Sequence, residues 1–182
     1  MKVEEAIKTR RSIRKYQAKQ VPDDLINELI EAARLAPSAY NAQPSRFFII
    51  KDENLKEKLR ENDVFKQPFV YDSPLIIICC ADPDVYPKDR TGPVTNKAGE
   101  VAGGTGAVRD LAFASQNLVL RATELGLGTC YIGLFNRDKE EIKEVLNIPK
   151  SFILAFAIIA GYPNEKPNQT PRKKISEIIL NH

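Results

Sequence analysis

Apolar positions recur along this chain with two periods, and the changes of period mark its elements. Val3, Ala6 and Ile7, with Glu4 and Glu5 between them, predict one or two turns of amphipathic helix. Pro22-Asp23-Asp24 is a helix start, with acids at the positive end of the dipole. Leu25, Ile26, Leu29, Ile30, Ala33 and Leu35-Ala36 then follow at helical spacing until Pro37 stops them. Ser45-Arg46-Phe47-Phe48-Ile49-Ile50 reads as a strand. Residues 52–62 are charged, with Leu55 and Leu59 four apart, and predict a surface helix. Pro74-Leu75-Ile76-Ile77-Ile78-Cys79-Cys80-Ala81 is apolar without alternation, as in a central strand covered on both faces. The longest helical pattern spans 107–125, with Val108, Leu111, Ala112, Ala114, Leu118, Ala122 and Leu125 on one face and Gly126 as its cap. A short helix over 138–146 and a second buried strand over 152–160 complete the series.

The stretches between these elements carry the polar and conformationally special residues. Pro37-Ser38-Ala39-Tyr40-Asn41-Ala42-Gln43-Pro44 is a loop bounded by prolines. Its Ser and Asn are turn formers, and the same groups suit the polar edge of a heterocycle. Residues 64–71 are rich in aromatics, fit either to cover a ligand or to pack. Residues 82–100 hold Pro83, Pro87 and Pro93 among charges and read as an exposed excursion able to act as a lid. Gly103-Gly104-Thr105-Gly106 fails as a dinucleotide fingerprint and as a P-loop, and is expected to be a flexible lead-in to the next helix. Gly126-Leu127-Gly128-Thr129-Cys130-Tyr131-Ile132-Gly133 is either a plain helix exit and strand start or a place where bare backbone N–H groups approach a flat ligand. Residues 164–182 form a polar tail with an apolar end, Ile175 and Ile178-Ile179-Leu180, which needs a surface to bury it across the molecule or on a partner subunit. With no internal repeat or linker, residues 1–182 are expected to form one domain.

Composition narrows the chemistry mainly through an absence. The only histidine is His182, the last residue. That disfavours Ser-His-Asp and Cys-His catalysis, and with no Cys-x-x-Cys or His pair no zinc site is expected. Cys79, Cys80 and Cys130 are an odd set with an adjacent apolar pair, as expected of reduced cytoplasmic thiols. A net charge of +3 does not argue for nucleic acid, and no apolar run has the length of a membrane span. An enzyme with this stock of side chains needs an organic cofactor for hard chemistry. Arg10-Arg11-Ser12-Ile13-Arg14-Lys15-Tyr16 puts four cations, a hydroxyl and an aromatic into seven residues. It is a solvated charge run or a phosphate site built from guanidinium forks and a short hydroxyl.

Taken together, the segments 10–16, 37–44 and 126–133, Gly161-Tyr162-Pro163 and Arg172 resemble, in order and spacing, the FMN-dependent nitroreductase family in its short form. The resemblance implies an α+β fold, a mostly antiparallel sheet wrapped by helices, in an intertwined homodimer with FMN at the interface. It implies that residues 164–182 dock on the partner. Carried over residue by residue, Arg10, Arg11 and Ser12 resemble the phosphate and ribityl end of the site, and Arg172 a second phosphate cation. Arg14 resembles the cation near the flavin pyrimidine, an electrostatic stabiliser, with no side-chain acid or base. Pro37, Ser38 and Asn41 resemble the loop reaching the ring from the partner chain. Ile132 and Gly133 resemble the backbone facing N5, Tyr131 beside them is a further cofactor-binding residue by the same resemblance, and Gln67 resembles a flavin-edge contact. Two departures stand out. Thr170 occupies the place where longer members often carry a second tail lysine, for which Lys173 or Lys174 can substitute. The match around Lys66 and Gln67 is loose.

The activity implied is electron transfer from NADH or NADPH, through FMN, to a small electron-poor acceptor such as a nitroaromatic, quinone or enone, in ping-pong alternation. A flavin store or sensor without fast turnover is the alternative. A nucleic-acid protein using the two basic clusters is the third reading, and it predicts a colourless protein with salt-sensitive binding. Expected partners are a second copy and the small acceptor, with no nucleic acid and no membrane.

Overall fold

The computed structural model describes residues 1–87, 103–134 and 138–180. Its centre is β2 (Leu75–Ala81), in which all seven residues are buried. β2 lies between β1 (Ser45–Ile50) and β4 (Ile153–Gly161), and β3 (Gly128–Gly133) closes the order β1-β2-β4-β3, with every pairing antiparallel. The period of two along β2 divides the core. Leu75, Ile77, Cys79 and Ala81 pack with Leu29, Ala33, Leu111 and Leu118, whereas Ile76, Ile78 and Cys80 pack with Leu59, Phe65 and Ile142. The first face is covered by α2 (Asp23–Arg34) and α4 (Gly103–Glu124), the second by α3 (Glu53–Glu61) and α5 (Asp138–Leu146). This is the α+β, antiparallel arrangement expected from the sequence, covered on both faces.

β4 breaks its own alternation. The register shifts between Cys79, opposite Phe156, and Cys80, opposite Leu154, so Ala155 is the extra residue of a bulge. Leu154 therefore joins Ala157 and Ile159 on the α3/α5 face, while Ala155 and Phe156 both turn to the α4 face.

α4 starts earlier than its apolar pattern. Gly103, Gly104 and Gly106, expected to form a flexible lead-in, belong to its first turn. Gly disfavours helix by about 1 kcal/mol each, but the helix beyond them is anchored by Ala107, Leu111, Ala114, Leu118, Val119 and Ala122, all buried. Gly126, at φ 78°, ends it, and the Leu127 N–H donates to the Ala122 carbonyl at 2.8 Å. The aromatic 64–71 stretch packs. Phe65 and Tyr71 are buried, and the Phe65 N–H donates to the Tyr71 hydroxyl at 2.7 Å. Of the expected 82–100 excursion, Pro83–Val85 form a short 3-10 turn, and 88–100 lie outside the described residues. The tail remains exposed, with Ile175 at 74% and Leu180 at 82% exposure.

α1 (Val3–Thr9) delivers the basic segment to the sheet. A parallel bridge joins Ser12 to Thr129, and the Ile13 N–H donates to the Thr129 carbonyl at 2.9 Å. An antiparallel bridge joins Tyr16 to Pro163, and the Asn164 N–H donates to the Lys15 carbonyl at 2.9 Å. Ile13 is buried at a place only a glycine leaves open, since a Cβ on Gly128 would stand 2.6 Å from Ile13 Cγ1. Gly133 on the same strand has nothing within 4 Å of such a Cβ. Gly128→Ala is therefore expected to cost roughly 1–3 kcal/mol, and Gly133→Ala to stay within about 0.5 kcal/mol of the parent. Urea denaturation at fixed protein concentration measures both, and equal effects at the two glycines would contradict the steric argument.

Candidate functional site

β3 is an edge strand, and the Ser12–Ile13 segment covers only part of its open side. Thr129 turns its carbonyl outward to Ile13. By the alternation of a strand, Tyr131 and Gly133 turn their backbone polar groups to the same open side. Ile132 does the reverse. Its side chain is buried on the α3/α5 face and it stands opposite Ala157 of β4. The available backbone donors on this edge are thus those of Tyr131 and Gly133.

The cations lie beside that edge, in different states. Arg11 caps α1, its Nη1 donating to the carbonyls of Lys8 at 2.8 Å and Arg10 at 2.7 Å. Arg10 is half-buried and close enough to Tyr131 for its charge to act on that phenol. Burial pushes the Tyr131 phenol up, against the lowering effects of the Ser115 hydrogen bond and Arg10. Ser12 is half-buried and Arg14 is exposed. The Arg14 and Lys15 N–H groups both donate to Glu165 Oε1, at 2.5 and 3.2 Å, which ties the root of the tail to the cluster. A cleft of about 480 Å³ opens here, lined by Arg10, Arg11, Gly128, Glu165 and Lys166.

Loop 37–44 lies at the other side of the sheet. Gly133 stands opposite Phe156, Phe156 opposite Cys79 and Cys79 opposite Phe47, which follows this loop. Three strand spacings separate the two ends by about 14 Å. Within one chain, Pro37, Ser38 and Asn41 are therefore not brought to Arg10 and Gly133. The loop itself is strained, with Tyr40, Asn41 and Gln43 at φ 56°, 53° and 51°. Ser38 Oγ accepts from the Gln43 N–H at 2.9 Å, and Asn41 is exposed. A cavity of about 220 Å³ beside it is lined by Ser38, Gln43, Phe47, Asp110 and Ala114. Gln67 is half-buried before Pro68–Val70, a turn whose Val70 packs on the α3/α5 face, so it too stands apart from the loop. Arg172 is exposed, and its recorded hydrogen bonds stay within the tail, to Thr170 and Pro171.

Sequence reasoning missed Asp110. Its carboxylate is buried on α4, where Oδ2 accepts from the Ala39 N–H at 2.8 Å and from the Tyr86 hydroxyl at 2.7 Å. The signal was present, because an acid three residues after Ala107 and four before Ala114 falls on the buried face of the helix. The thiols offer no nucleophile. Cys79, Cys80 and Cys130 are unpaired and buried, and burial pushes Cys79 well up and Cys80 to about 12. Among the described residues no cluster of His, Cys, Asp and Glu could hold a metal ion, and no helix is long and apolar enough to cross a membrane.

Known proteins with this arrangement agree with one another. The sequence model of the Nitroreductase family matches residues 7–162. A protein of Methanothermobacter thermautotrophicus, provisionally named NADH dehydrogenase/NAD(P)H nitroreductase, is 37% identical over 169 residues, covering 92% of this chain and 80% of its own. A provisionally named nitroreductase from Desulfovibrio desulfuricans, solved in complex with FMN, superposes with a TM-score of 0.82 at 25% identity over 100% of this chain and 97% of its own. A nitroreductase family protein from Clostridium difficile gives 0.76 at 28% identity, over 99% and 98%. With the match extending from α1 to the end of β4, this chain belongs to the nitroreductase family.

Proposed function

We propose that this chain is an NAD(P)H-dependent FMN oxidoreductase that passes electrons to an electron-poor small molecule, a nitroaromatic, quinone or enone, by ping-pong alternation. The observation that carries this reading is the meeting of the basic segment 10–14 with the open edge of β3. The donor set fits FMN. Arg10 and Ser12 offer charge-assisted and hydroxyl donors for a phosphate and ribityl chain. Arg11 can add charge, although its guanidinium is engaged at the end of α1. Tyr131 and Gly133 offer backbone donors for the polar edge of a ring, and Gly133 leaves that approach open because nothing fills the space of a Cβ. When bound, FMN supplies hydride acceptance and electron release, the chemistry that the protein's own groups lack.

The residues then act by placement and charge. Pro37, Ser38 and Asn41 lead into β1, which lies three strand spacings, about 14 Å, across the sheet from β3, so they serve the equivalent edge of a second copy. Exposed Val3, Ile7, Phe113, Ile175 and Leu180 give that copy apolar surface to cover. The working unit is thus a homodimer of single-domain chains, in which residues 164–182 dock on the partner and Arg172, with Lys173 or Lys174, completes the phosphate site. Gln67 reaches the flavin edge from the α3/α5 side. Three unpaired thiols fit a reducing, cytoplasmic setting.

The central test is anaerobic. Purified protein loaded with FMN should lose its flavin absorbance within seconds of adding NADH or NADPH and regain it on adding an acceptor. Flavin that binds but stays oxidised would instead favour a store or sensor. Two variants probe the parts. A cation near the pyrimidine edge binds the more negative, reduced flavin better than the oxidised one, so it raises the reduction potential. Arg14→Met is expected to keep FMN bound and lower the midpoint, where about 30 mV corresponds to ~1.4 kcal/mol for two electrons. A spectroelectrochemical titration showing the same midpoint would leave Arg14 a surface residue. Truncation before Asn164 removes Arg172 and the apolar end together. It is expected to lose flavin and weaken the dimer, and a yellow dimeric product at low concentration in sedimentation would contradict tail docking.

A further inference from the structure

We propose that Asp110 is a positioning residue for loop 37–44, and that Tyr86 links the segment leaving β2 to the same carboxylate. The inference rests on the flavin reading above, in which this loop faces the ring bound by the partner. Asp110 is 2% exposed, on a helix face otherwise made by Ala107, Leu111 and Ala114. A carboxylate there is costly to bury and is retained only with its oxygens engaged. Oδ2 takes both neutral donors, Ala39 N–H and Tyr86 O–H, while Oδ1 faces the largely exposed Arg109, whose Nε is 3.4 Å away. The acceptor therefore joins three separate parts of the chain: α4, the loop and Pro83–Val85 with its following Tyr86.

The loop needs such an anchor. Three non-glycine residues in the left-handed region persist only where the surroundings over-determine them. Ala39 N–H is fixed by Asp110 just before the first of these, and Gln43 N–H by Ser38 Oγ at the last. Between the anchors, Tyr40 and Asn41 are held outward, with Tyr40 60% exposed. Burial and Asp110 together push the Tyr86 phenol up, so it remains a donor at any physiological pH. Any displacement of residues 82–87 then removes the Tyr86 donor from Oδ2 and changes the hold on Ala39.

The test uses the full chain loaded with FMN, as Asp110→Ala, Asp110→Asn and Tyr86→Phe. Asp110→Ala should speed amide exchange at Ala39 and its loop at least tenfold, leave the amides of β2 protected, and weaken FMN binding by about tenfold or more. Asp110→Asn keeps an accepting oxygen and should recover part of both losses. Tyr86→Phe should shift both readouts in the same direction by less. Unchanged exchange at Ala39, or fast exchange there with parental FMN affinity and anaerobic reduction rate, would overturn the assignment. So would exchange that rises equally in β2, which marks a residue of general stability. If Asp110→Ala does not fold, Tyr86→Phe decides, and unaltered Ala39 exchange in that variant overturns the link. A parental protein that binds no FMN removes the flavin reading and this assignment with it, whereas a flavin-loaded parent with an indifferent Ala39 amide removes the assignment alone.

Discussion

The placement of Ile13 against Gly128 is the contact on which the candidate site depends. It is a small contact, one β-branched side chain filling the space where another residue would carry its Cβ. Its effect is directional. With Ile13 turned inward and its N–H on Thr129, the neighbouring Ser12 and Arg14 face away from the core, and α1 leaves Arg10 near Tyr131. A cation cluster at a fraying terminus would have no fixed geometry toward a ligand. Pinned by two bridges and by Glu165, the same residues hold their positions without the entropy cost of ordering them at binding.

The sheet that receives this segment keeps its two faces distinct, and the bulge in β4 shows why that matters. A regular β4 would alternate Leu154, Phe156 and Ile158 onto one face. The extra residue moves Leu154 to the α3/α5 side and leaves Phe156 beside Tyr131, with ring centroids 5.4 Å apart at 68°. Phe156 thus supports the strand that carries the open edge. The same face holds Asp110 and loop 37–44 at its far end. In the function proposed above, one chain carries two parts of the site at opposite sides of its sheet. The pairing proposed there rests on that separation more than on the exposed apolar residues, which any surface has in some number.

Much of this was legible in the sequence. The unbroken apolar run at 74–81 read as a strand covered on both sides, and the 3.6-residue pattern running to Ala36 placed a helix that overruns the observed Asp23–Arg34 by two residues at its end. The basic segment and the 126–133 stretch were also visible, because their composition is unusual for their length. Three things were not. The helical state of Gly103, Gly104 and Gly106 depends on what α4 buries further along, which overrides local propensity. The direction of the Ile132 backbone depends on which side of β3 meets β4, and alternation alone cannot choose it. Asp110 was hidden because a charged residue in a helical pattern is normally assigned to solvent. Only the position of its donors, 71 and 24 residues away, shows why it is buried.

The electrostatics of the described groups point to one division of labour. Tyr16, Tyr86, Tyr131, Cys79 and Cys80 are all displaced upward, away from neutrality, with burial the leading cause in each. None of these five groups is brought toward the working pH, as a tuned general acid or base would be. The polar investment goes into fixed donors and fixed charge instead: strand-edge N–H groups, guanidinium groups on a pinned segment, and a buried carboxylate holding a strained loop. Such groups need no reorganisation when charge develops beside them, which is the property that favours electron transfer to and from a bound ring over proton abstraction by a side chain. The protein's share of the chemistry is then the geometry and field into which a cofactor is set.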